Sequence, residues 1–171
     1  MKRSISLLVL AMVSCGVILN HLSITQAEQG TLLVVDGKPF DVIGAWSDRW
    51  TRWTARCDKV ERLTPEDTIY KASLENIKNY SPPASEHMQV ASVWAQSDWA
   101  LVEVEFKDLL PALVVLQKTQ GQWQIVPKAI WSGYTAPWKA APFVRHYITT
   151  QAPELPRELS NCFELQSKSF K

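Results

Sequence analysis

The chain has 171 residues, 46% of them hydrophobic and 20% charged, which excludes disordered and collagen-like classes. Its 18 Lys and Arg against 17 Asp and Glu leave a formal charge of +1, without the basic excess that nucleic-acid binding draws on. Eight Trp is the one compositional departure, and three Cys with three His leave little material for a metal site.

The N-terminus reads as a secretory leader. Met1-Lys2-Arg3 is a positive start, Ile5 to Leu19 carries no charge, and Thr25-Gln26-Ala27 offers small residues where a signal peptidase cuts. The expected organisation is therefore a signal peptide over 1–27 and a single domain over 28–171. Two alternatives remain at this point. The apolar run could stay as an anchor, although it is shorter than the roughly 20 residues of a span, or Cys15 could be a lipidation site. Cleavage leaves a near-neutral chain with no stable membrane span, in a periplasmic or secreted location. It also leaves two cysteines, Cys57 and Cys162, which in an oxidising compartment read as one disulfide.

Leu32 to Phe40 contains the turn dipeptide Asp36-Gly37 and reads as a short hairpin or strand. Trp46, Trp50, Trp53, Cys57 and Val60 then recur at helical spacing, with Asp48, Arg52, Asp58, Lys59 and Arg62 off the stripe. Such a stripe is expected to be the buried face of a helix. A ligand reading is the alternative: the indoles of Trp46, Trp50 and Trp53 could hold a sugar, a lipid or an aromatic molecule, with Arg49 and Arg56 on one edge gripping an anion. Thr64-Pro65-Glu66-Asp67 has the cap, proline and acids of a second helix start, and Ser81-Pro82-Pro83 ends that helix.

Four apolar runs follow, over 88–95, 99–107, 111–117 and 122–131, with connections short enough to force antiparallel neighbours. In the second run Ala100, Val102, Val104 and Phe106 share one face, and Trp99, Leu101, Glu103 and Glu105 the other. Val114, Leu116 and Ile125 join the first set as expected core. Glu103 and Glu105 could divide acid and base roles, but a pair of acids on a sheet face is expected to be solvated. Pro127 suits an edge strand or a bulge. The tail offers two short helices, 137–150 and 156–163, the second carrying Cys162.

The fold class is thus α+β: N-terminal helices packed on a four-stranded antiparallel meander, with a helical C-terminal tail. Ser97 to Phe106 (SDWALVEVEF) and Leu116 to Val126 (LQKTQGQWQIV) resemble strands of NTF2-like proteins, a superfamily with cone-shaped pockets that includes ketosteroid isomerases. The resemblance covers 97–131 and implies a ligand carrier or small-molecule enzyme. No catalytic acid of that superfamily maps to a position here.

No nucleophile elbow, phosphate loop or metal-ligand spacing occurs, so no catalytic residue, metal or cofactor is assigned. The function expected is an exported, non-catalytic binding or accessory protein. Its partner is a small molecule or an envelope protein.

Overall fold

Asp36 and Gly37 take positive φ of 51° and 76°, which is the hairpin turn this dipeptide favours. In the computed structural model, which describes residues 21–83, 85–167 and 170, this turn joins β2 (Gly30–Val35) to β3 (Lys38–Phe40). A further strand, β1 (Leu22–Ala27), pairs with β2 along its whole length, although those residues read as the end of the leader. The remainder of the leader, residues 1–20 with Cys15, lies outside the described residues.

Helix α1 spans Val42–Thr54 and begins four residues before the Trp stripe. Asp41 caps it, its Oδ1 accepting from the Gly44 amide at 2.7 Å, while its Oδ2 accepts from the Lys139 amide at 2.9 Å. Gly44 has no side chain to collide with that carboxylate, which fills the space where a Cβ would stand. The helix ends at Thr54, so Cys57 and Val60 are not on it, which corrects the longer helix expected from their spacing.

The second helix is also shorter than expected. Thr64-Pro65-Glu66-Asp67 forms a turn, in which the Asp67 carboxylate accepts from the Thr64 amide and hydroxyl at 2.7 and 3.0 Å. Helix α2 then runs over Thr68–Tyr80 and stops before Pro82-Pro83, as the prolines dictate.

The expected four-stranded meander is a five-stranded antiparallel sheet in the order β4-β5-β6-β7-β8. Its strands are β4 (Glu61–Arg62), β5 (Gln89–Gln96), β6 (Trp99–Glu105), β7 (Ala112–Thr119) and β8 (Gln122–Ser132). The two residues of β4 pair with Trp94 and Ala95 on the free edge of β5, and Arg62 lies 5.8 Å over the Trp94 ring. On β8 the register shifts opposite Val114–Leu116, where Pro127 sits beside Lys128 at φ 68°. Pro127 thus occupies a bulge in an edge strand, where its missing donor costs no ladder bond.

Period-two alternation sends the strand side chains to two apolar layers. Val93, Ala100, Val102, Val104, Val114 and Leu116 lie on one face under Ile69, Leu74 and Ile77 of α2, with Phe106 and Ile125 half-buried at its margin. Leu101, Leu113, Val115 and Ala129 lie on the other, under α3 (Ala140–Gln151) and α4 (Arg157–Cys162). The helices therefore cover both faces instead of packing N-terminally on one, and the Trp helix α1 rests on α3, α4 and β2. A disulfide joins Cys57, in the segment after α1, to Cys162 at the end of α4, with the Cα atoms 5.7 Å apart.

Candidate functional site

Helix α1 is turned inside out. Its inward side carries Gly44, Asp48 and Thr51, of which Asp48 is buried and forms ion pairs with Arg52 at 2.7 Å and with Arg145 of α3 at 3.7 Å. Arg145 is itself buried: its Nε donates to the Ser160 carbonyl at 2.7 Å, and its guanidinium lies 5.7 Å over the Phe163 ring. Burial draws the Arg145 pKa below the ordinary guanidinium value; Asp48 opposes that shift and Arg52 adds to it. A charge network, and not an apolar seam, thus holds α1 to α3.

The opposite side of α1 carries the indoles. Trp46, Trp50 and Trp53 are 70, 53 and 77% exposed, which overturns the expectation that the stripe is core. The physical reason lies in Asp48: once it is drawn inward to Arg145, the Trp stripe, about half a turn away around the helix, must point out. Full burial of a large apolar side chain is worth about 1.5–3 kcal/mol. The folded chain forgoes most of that at three adjacent positions, and contiguous exposure of this kind marks interaction surfaces.

Of the five residues singled out for ligand binding, the structure brings four together. Trp46, Arg49, Trp50 and Trp53 line one shallow hollow of about 370 Å³. Arg56 falls beyond the end of the helix, is exposed and does not line it. Trp50 and Trp53 meet edge to face, with ring centroids 5.3 Å apart and planes at 70°. That geometry offers an apolar hollow with a cationic rim, not a flat platform of parallel rings.

Sequence reasoning missed the continuation of this surface. Val42 and Ile43, in the first turn of α1, and Phe40, just before it, are also exposed. Ile24, Leu33 and Phe40 stand opposite one another across β1, β2 and β3, so a second apolar row leads into the helix. The signal was Asp41, an N-cap residue directly ahead of Val42-Ile43.

A second hollow, a cleft of about 690 Å³, lies between the β1–β2 turn, the start of α1 and α3. Trp131, Trp138, Phe143 and Tyr147 line it, with Glu28, Asp41 and His146 among its polar groups. Trp131 meets Phe143 and Tyr147 edge to face at 5.1 Å.

Glu103 was expected to be solvated and is instead fully buried. Its carboxylate accepts from the Ser92 hydroxyl at 2.9 Å and from the Gln166 and Ser167 amides at 2.7–3.0 Å. Every one of those partners holds the C-terminal tail or β5 in place, so the carboxylate is a structural anchor. Glu105, two residues on, is half-buried at the end of β6.

Among the described residues, no group of three or more His, Cys, Asp or Glu could hold a metal, and no helix is long and apolar enough to cross a membrane. Comparisons with protein-family models, curated proteins and solved structures found no match.

Proposed function

We propose that this is an exported, non-catalytic binding or accessory protein whose working surface is the outward Trp–Arg face of α1. The observation that carries the reading is the inversion of that helix, which exposes three indoles while its polar side is docked. The Cys57–Cys162 disulfide supports a periplasmic or secreted location, because such bonds persist in oxidising compartments. Cleavage after Ala27 would remove β1 as well as the leader. The side chains of that strand are mostly exposed, so its loss would strip little core. Intact-mass measurement of the exported protein would read the start of the chain directly, as Glu28 or as an earlier residue.

A surface kept for binding is dispensable for folding, and that is the test. The W46Q/W50Q/W53Q variant should unfold within about 0.5 kcal/mol of the parent chain, as surface substitutions do. It should also lose binding of the apolar dye anilinonaphthalene sulfonate. A variant that fails to fold would mark the indoles as structural and end the reading.

The aromatic cleft beside α3 favours a second reading, a small-molecule carrier or enzyme of the kind the NTF2-like resemblance implies. Dye binding that survives in the triple variant but disappears when Thr150→Trp fills the cleft would select it.

A further inference from the structure

We propose that the outward face of α1 seats on the surface of an anionic phospholipid bilayer, with the helix lying in the interface plane. The inference rests on the reading of that face as the working surface, and it names the partner.

Three independent features point to lipid. The first is chemical. Tryptophan and arginine on one side of a helix are the residues that favour the boundary between headgroups and acyl chains, the ring in the apolar layer and the guanidinium at the phosphates. Trp50 and Trp53, meeting edge to face, present ring edges and faces to a deformable phase. A sugar would require a flat platform there.

The second feature is charge. The one acid within α1 is Asp48, which is buried against Arg145, so the helix shows no carboxylate outward. Arg49 on the rim of the hollow and Arg56 beyond the helix make no ion pair among the described residues. Both are available for lipid phosphates.

The third is continuity. The apolar row of Ile24, Leu33 and Phe40 belongs to the small sheet whose first strand, β1, begins one residue after residues 1–20. In that preceding stretch Ile5 to Leu19 carries no charge and follows Lys2 and Arg3. A chain entering a bilayer through this segment would deliver β1, and with it α1, to the membrane surface. In the uncleaved chain that segment would bring the protein there and the Trp face would set how it lies; in the cleaved chain the Trp face would bind by itself.

The test uses the eight native indoles, none of which falls within residues 1–20, so fluorescence reports only on the chain beyond that stretch. The full chain is mixed with vesicles of phosphatidylglycerol and phosphatidylcholine whose acyl chains are brominated. The expected result is a blue shift with quenching, at least tenfold weaker on pure phosphatidylcholine and several-fold weaker for R49Q/R56Q, because each surface cation contributes to anionic-lipid affinity. In W46Q/W50Q/W53Q the quenching should vanish, even where residues 1–20 still carry the chain into the pellet with vesicles. Emission untouched by brominated chains, or quenching equal in the parent and the triple variant, would overturn the lipid assignment. So would sedimentation, without lipid, of dimers that the triple variant does not form. In that case the dye and stability results would still uphold a binding face, and its partner would be a second copy of the chain.

Discussion

Glu103 shows how much one side chain can organise at a distance. It accepts hydrogen bonds from a hydroxyl 11 residues back and from two amides 63 and 64 residues on, so β5, β6 and the C-terminal tail converge on one carboxylate. Hydrogen bonds to a charged group are worth about 1.5–3 kcal/mol each, and buried donors left without an acceptor add their desolvation cost. Glu103→Ala should therefore lower unfolding stability by about 3 kcal/mol in denaturant titrations. Amide exchange at Gln166 and Ser167 should accelerate in the same variant, while the β6–β7 ladder keeps its protection. Glu103→Gln, which retains one acceptor oxygen, should lose less. None of this was legible in the sequence, where an acid beside Glu105 on a strand reads as solvated. Two of the three partners that reverse the reading lie in a tail with no periodic signal of its own.

At the scale of elements, what could be read depended on whether the pattern carried a direction. The four long strands were legible because period two fixes both the element and the side each residue faces, as Val102 and Val104 against Leu101 and Glu103 show. Strand β4 was not, since two residues carry no period. The Trp stripe gave a helix correctly, yet a stripe states only that a helix has two sides, not which one is docked. That choice was made by Asp48 and Arg145, 97 positions apart in sequence and 3.7 Å apart in space. Asp48→Ala should therefore cost roughly 3 kcal/mol by leaving the Arg145 guanidinium buried without its carboxylate. Loss of three indoles from the same helix should cost almost nothing. A thermal-melt series that reversed this ranking would show that the indoles, and not the ion pairs, hold α1 in place.

For the whole molecule, the disulfide sets the outer limit of what can come apart. It closes a span of 105 positions, for which the chain-entropy account gives about 4–5 kcal/mol. Replacing both cysteines by serine should lower stability by an amount of that order, read from the urea midpoint, and the same loss should follow reduction of the native chain. The disulfide also completes the fastening of α1: the Asp41 cap shared with Lys139 at its start, the Asp48–Arg145 pair at its middle and the Cys57–Cys162 bridge just beyond its end. Not one of the three is an apolar contact. A helix glued to its domain by hydrophobic packing comes loose when immersed in oil, because the oil competes for the same side chains. For α1 there is no such competition, since the Asp48–Arg145 pair is buried on the side away from the indoles and the disulfide is covalent. The fastening and the working face thus lie on separate sides of one helix, and a medium that wets the indoles leaves the hold on the helix that bears them intact.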